Sequence, residues 1–156
     1  MTGVGDEGNG GDVGEDRVEG DLPAVDAGAA ADLIPDDATI AVSGFGSVGY
    51  PKAVPLALAE AAEAGGRDLA LCVISGGAVG DEIDTTLADA GAVARRYPFA
   101  TRPAIKERAN DGRVAFHDRH VSAMSDEVRF GGLPLPDVAV VEAVAVGAGW
   151  LIPSTS

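Results

Sequence analysis

Thr39-Ile40-Ala41-Val42-Ser43 runs into Gly44-Phe45-Gly46-Ser47-Val48-Gly49, then Tyr50-Pro51-Lys52-Ala53-Val54-Pro55 and an alanine-rich segment that stops at Gly65-Gly66. The short, β-branched and apolar residues from Thr39 to Ser43 describe a buried strand. The glycines after it let backbone N–H groups approach whatever lies above the strand end, with no Cβ in the way. Val54, Leu58, Ala61 and Ala62 recur at helical spacing, and the glycine pair supplies the C-terminal stop. A strand, a glycine turn and a helix form the arrangement in which α/β proteins hold anionic or nucleotide-like ligands. The rest of the chain is read outward from this unit.

Upstream, Pro23 to Leu33 predicts a short helix, stopped by Ile34-Pro35-Asp36-Asp37. Downstream, Asp68 to Ile74 is a second strand that ends in Ser75-Gly76-Gly77. Asp81 to Ala88 opens a helix with acids in its first turn, where the macrodipole favours them. Arg95-Arg96-Tyr97-Pro98-Phe99 reads as a loop, and Pro103 to Asn110 as a short helix with proline at its start and Gly112 past its end. Arg113 to Phe116 is a short strand, and His117 to Arg129 is polar and partly helical. Asp137 to Val146 is the most strand-like run; Trp150-Leu151-Ile152 starts another strand, with Trp150 as core. Strands alternate with helices and most lack strict polar alternation. The expectation is an α/β fold with a mostly parallel sheet and helices on both faces.

Met1 to Gly20 is glycine and acid with almost nothing to bury. Such a segment cannot offset its ordering entropy, so a disordered acidic tail is expected over residues 1–20. Residues 21–156 then make one α/β domain, large enough for its own core. With 46% hydrophobic but only 4% aromatic residues, that core must be built from Ala, Val, Leu and Ile. The net charge of -14, from 25 acids against 11 bases, argues against nucleic acid or an anionic membrane as partner. Lys52 and Lys106 are the only lysines. Acid excess with few lysines predicts a salt-adapted cytoplasmic protein, whose self-repulsion high salt screens; a mesophilic protein with an acidic tail is the alternative. The single cysteine, Cys72, excludes an internal disulfide and lies in an apolar run, as a buried thiol would. The N-terminus has no positively charged start or apolar signal core, and no run approaches membrane-spanning length, so a soluble, intracellular protein is expected.

Gly44-x-Gly46-x-x-Gly49 matches the dinucleotide fingerprint as a bare pattern. Two features weigh against that oxidoreductase reading. Pro51 and Pro55 break the helical turn that should begin inside the motif. The second strand also ends in Ser75-Gly76-Gly77, where an acid should hold the ribose. A tight turn with no ligand remains a further alternative. His117 and His120 stand three apart, but no cysteine or third ligand lies close in sequence, so no metal is expected. Arg95-Arg96 reads as a solvated pair rather than as a phosphate contact. Lys52 either meets a carboxylate or phosphate or is a solvated surface charge.

Several short motifs in order carry a resemblance. Ser43-Gly44-Phe45 is followed by Gly49-Tyr50-Pro51-Lys52-Ala53-Val54-Pro55, Gly76, Gly80-Asp81-Glu82-x-Asp84, Asp118-x-His120-x-Ser122 and Asp137-Val138-Ala139-x-x-Glu142-Ala143. From about Leu33 onward the chain resembles the acetyl-CoA hydrolase/transferase family, class I CoA-transferases that include succinyl-CoA:acetate and 4-hydroxybutyrate CoA-transferases. One departure is Gly76-Gly77-Ala78-Val79, where family members often carry a Gly-Ala-Ser-Thr-like turn. No hydroxyl role is carried over there.

The resemblance implies an enzyme that moves CoA between carboxylic acids through a glutamyl-CoA thioester, built from two related α/β halves. It places the catalytic glutamate in the half that follows, and no residue here matches it. Neither Glu82 nor Glu142 is assigned as nucleophile, so the catalytic set in this chain is empty. What this part offers is a wall for acyl-CoA at two strand ends, made by Gly44, Phe45, Gly46, Gly49, Lys52, Ser75 and Gly76. CoA and acyl-CoA enter as substrates rather than as a tightly held cofactor, with small carboxylates as co-substrates. The chain stops inside what reads as a strand, so a domain incomplete at its C-terminus is expected. The implied partner is a second polypeptide carrying the other half, or a further copy in a homo-oligomer. The rival reading is a non-catalytic binding or interaction module.

Overall fold

A computed structural model describes residues 23–154; the expected acidic tail, 1–20, lies outside them. The order is α1 (Ala27–Asp32), β1 (Thr39–Val42), α2 (Ala53–Glu63), β2 (Leu71–Ser75), a π-helical turn (Glu82–Leu87), β3 (Val93–Tyr97), α3 (Pro103–Asn110), β4 (Ala115–Phe116), a 3-10 turn (Val121–Ala123), α4 (Met124–Arg129), β5 (Val138–Val140), β6 (Ala143–Gly147) and β7 (Trp150–Pro153). Five strands form one sheet in the order β4-β3-β2-β1-β5, and every pairing in it is parallel. The α/β expectation therefore holds, with β1 at the centre of the site-bearing edge.

Alternation along the strands divides the core. Ile40, Val42, Leu71, Val73 and Val93 pack with Leu58 and Ala59 of α2, Ile83 and Leu87 of the π-turn, and Ile105 of α3. Cys72, Ile74 and Tyr97 face the other way, against Met124 and Val128 of α4 and Leu133. Helices thus cover both faces, though the second cover is much thinner. Cys72 is a buried free thiol, and its desolvation pushes its pKa up.

Several boundaries differ from the sequence reading. Arg95-Arg96-Tyr97 is not a loop but the end of β3, and Arg96 is fully buried rather than solvated. The cause is a register shift between β2 and β3, in which Leu71 pairs with Val93 but Cys72 pairs with Arg95. The extra residue reverses the alternation, so Arg96 beside Val73 faces the larger core and Tyr97 beside Ile74 the smaller. The helix after Asp81 opens into a π-turn. The long run from Asp137 to Val146 is two strands, because the Glu142 N–H leaves the ladder and donates to Ser43 Oγ at 2.9 Å. Finally β6 and β7 pair antiparallel as a separate two-stranded sheet, and Trp150 on it is 53% exposed, not core.

Candidate functional site

Two glycine-containing turns lie side by side beyond the C-terminal ends of β1 and β2, where ligands of parallel sheets bind. The first, Gly44 to Gly49, folds back on itself: Phe45 N–H donates to Val48 O at 3.0 Å, and Val48 N–H returns to Phe45 O at 3.1 Å. Its chain reversal needs left-handed backbone at Gly46 (φ 61°), Ser47 (φ 70°) and Gly49 (φ 66°). Ser43 fixes its base, donating from Oγ to Gly49 O at 2.7 Å. Gly46 N–H reaches across to Ala78 O at 2.9 Å, joining it to the second turn. Helix α2 starts only at Ala53, two residues past Pro51, so no helix opens inside the glycine motif.

Close approach explains the other glycines. A Cβ at Gly44 would lie 2.5 Å from Tyr50 Cβ, and one at Gly80 would run into the Tyr50 ring. Tyr50 is therefore clamped between the two turns, and its hydroxyl donates to Glu82 Oε2 at 2.6 Å. That carboxylate, followed by burial, pushes the phenol up to about 12, so it stays a protonated donor at neutral pH. A Cβ at Gly76 would press on Gly44 O at 3.1 Å, and one at Gly77 would meet the Phe45 ring at 2.7 Å. Phe45 itself is 56% exposed. Only toward solvent at Gly46 is there open space for a side chain among these positions.

Beneath the second turn sits a buried ion pair that the sequence reading missed. Arg96 Nε donates to Asp84 Oδ1 at 2.8 Å and a terminal nitrogen donates to Oδ2 at 3.2 Å. The remaining guanidinium donors go to Ser75 Oγ at 2.8 Å, to Gly77 O at 3.2 Å and to Tyr97 O. All five donors of the fork are thereby used. Ser75 in turn donates to Gly77 O. The arginine holds the turn after β2 from inside the core.

Lys52 is not free at the rim. Its ammonium pairs with Glu142 Oε1 at 2.9 Å, donates to Tyr50 O at 3.0 Å and lies 4.4 Å from the Tyr50 ring centre. Lys52, and after it Ser154, hold the Glu142 carboxyl below its ordinary range. Glu142 thus works as a strut between the first turn and the hairpin that follows. The residues expected to make the wall, Gly44, Phe45, Gly46, Gly49, Lys52, Ser75 and Gly76, do come together. The N–H groups of Phe45 and Gly46 are bonded within and between the turns, to Val48 O and Ala78 O, so neither is left to approach a ligand above the strand ends. Tyr50, Glu82, Asp84 and Glu142 lay inside the quoted motifs, but their partners are distant in sequence. Beside Ser75 and Gly76, an apolar groove of about 430 Å³ opens between Val42, Ile74, Met124 and Val128.

The histidines do not converge. His117 stacks on Tyr97 at 4.8 Å, whereas His120 Nδ1 pairs with Ser122 Oγ at 2.7 Å. Among the described residues no group of three or more His, Cys, Asp or Glu side chains is placed to hold a metal, and no helix is long and apolar enough to cross a membrane.

The parallel sheet with paired turns at its strand ends defines an α/β domain, and comparison with known proteins says of which family. Residues 24–154 match the acetyl-CoA hydrolase/transferase N-terminal domain. The chain belongs to this family. It is 37% identical over 132 residues to the succinyl-CoA:acetate CoA-transferase of Clostridium kluyveri, covering 84% of this chain and 24% of that protein. It is 34% identical over 131 residues to the propanoyl-CoA:succinate CoA transferase of Escherichia coli, covering 80% and 27%. An acetyl-CoA hydrolase of Eremothecium gossypii is 34% identical over 113 residues, covering 67% and 21%. The chain therefore spans about a quarter of these relatives' length. Among solved structures, an acyl-CoA transferase apoenzyme from Escherichia coli O157:H7 shares the fold with a TM-score of 0.59 at 24% identity, covering 72% of this chain and 23% of that one.

Proposed function

We propose that this chain forms the N-terminal wall of an acyl-CoA site in an acetyl-CoA hydrolase or CoA-transferase, and that it is inactive without the glutamate-bearing remainder. The observation that carries the reading is the locking of the Gly44–Gly49 turn against the Ser75–Val79 segment at two strand ends. Of the residues that lock it, Gly44, Phe45 and Gly76 belong to the family motifs, and Gly46, Gly77 and Ala78 lie outside them. In the implied reaction a glutamate carboxylate attacks the thioester carbonyl and displaces the CoA thiolate. The thiolate then attacks the glutamyl carbonyl of the mixed anhydride, releasing the acyl group as its carboxylate and leaving CoA as a glutamyl thioester. A second carboxylate, or water, takes over from there. Such a step needs preorganised donors at the developing oxyanion. With Phe45 and Gly46 N–H groups already bonded, those donors belong to the remainder, and this chain contributes shape.

The partners in this reading are acyl-CoA, small carboxylates and the polypeptide that corresponds to the rest of the relatives. The net charge of -14 supports a salt-adapted, cytoplasmic setting. The test is thioester exchange between acetyl-CoA and succinate in high salt. The chain is assayed alone and with the Clostridium kluyveri relative made without the quarter that this chain matches. Exchange only in the mixture is expected. Exchange by the chain alone contradicts the reading and makes Glu142 the first residue to replace; a complex with no exchange in either sample favours a binding module.

A further inference from the structure

The β6–β7 hairpin is apolar on both of its faces and covered on neither. Val146 pairs across from Leu151 and Gly147 from Trp150, so Val146 and Leu151 share one face and Trp150 and Ile152 the other, while Val144 is the extra residue at the bulge between Ala143 and Ala145. All five are exposed, from Val144 at 69% to Leu151 at 47%. Ala143 to Pro153 contains no charged residue in a chain of net charge -14. The hairpin is not bonded into the five-stranded sheet, and an isolated pair of strands is marginal in water. A patch of this kind marks an interaction surface.

We infer that this hairpin is the docking surface for the polypeptide corresponding to the part of the relatives that this chain does not span. The inference rests on the proposed function and adds the surface to it. Two observations select this occupant over a second copy of the chain. The relatives carry about three quarters of their length outside the matched stretch, so they have a large body beyond it. The hairpin is also continuous with the site wall. Glu142, one residue before β6, bonds Ser43 through its N–H and Lys52 through its carboxylate, and Ser154, one residue after β7, bonds Glu142 twice, to its carbonyl at 2.9 Å and to its carboxylate at 2.9 Å. A body seated on the hairpin therefore lies directly beside the two turns, where the missing carboxylate is needed.

Trp150 is the only tryptophan, so its emission reports the hairpin directly. The probe is a tryptophan-free version of the truncated Clostridium kluyveri relative, first shown to re-form a complex with its own matched quarter. Added to the full chain, it is expected to bind and to shift Trp150 emission to the blue. The variant V146K/L151E keeps a cross-strand pair of opposite charge, and so the hairpin, while making one face ionic. Its affinity is expected to fall on the order of a hundredfold, as removal of central interface anchors does. An exchange-active complex that forms equally well with V146K/L151E overturns the surface and leaves the functional reading standing. A complex that needs the hairpin but exchanges no thioester supports the surface and removes the function. A blue shift that tracks the chain's own concentration, or no binding to the validated probe, overturns the inference.

Discussion

Asp84→Ala should destabilise the chain by about 3–5 kcal/mol, since it strands a buried guanidinium without its carboxylate. Both partners are fully buried, and they meet at 2.8 Å. For a domain of this size the loss is a large share of total stability, so thermal unfolding should move down by about 6–20 °C, at 2–4 °C per kcal/mol. The double variant D84L/R96M separates charge from packing. Apolar replacement of a whole buried pair is often neutral, so most of the stability should return. The turn should not recover with it, because Arg96 also holds Ser75 Oγ and Gly77 O. Amide exchange at residues 77–79 should stay fast in the double variant. A single variant that melts like the parent chain would show that Asp84 and Arg96 are not a buried pair.

Gly44→Ala is the second large effect, expected at roughly 3 kcal/mol from strain and overpacking together. Gly44 sits at φ 118°, a backbone conformation that side-chain-bearing residues rarely adopt, and its missing Cβ faces Tyr50 Cβ at 2.5 Å. Because the obstruction is next to the tyrosine backbone, no rotamer change relieves it. Truncating the tyrosine ring in Y50A therefore should not rescue Gly44→Ala in urea unfolding. A rescue would place the strain in the Tyr50 ring rather than in the backbone.

The parts of the fold that were legible in the sequence are those set by local pattern. The apolar run at β1, the proline-started α3 and the alanine helix α2 each carry their own signal, and the order of strands and helices gave the parallel sheet. Arg96 reads as solvated in the sequence because its burial depends on two non-local facts, a bulge opposite Cys72 and a carboxylate twelve residues back. Val93-Ala94-Arg95-Arg96 shows no apolar alternation, so the strand was hidden behind its charge. The break at Glu142 was equally invisible, since it depends on Ser43, distant in sequence. Trp150 reads as core because aromatic residues usually are; its exposure follows from a hairpin that lies outside the main sheet. The two turns of the candidate site are legible from glycine spacing and family motifs. Their physical reason, however, is turn-to-turn packing around Tyr50 rather than free N–H donors.

The central claim is that two interlocked turns face acyl-CoA. Amide hydrogen exchange on the chain assembled with the truncated relative, with and without acetyl-CoA, reads those turns directly. Protection confined to residues 44–49 and 75–79 on adding acetyl-CoA is the expected result. Unchanged exchange at both turns, with protection elsewhere in the chain or solely in the partner polypeptide, would contradict the account.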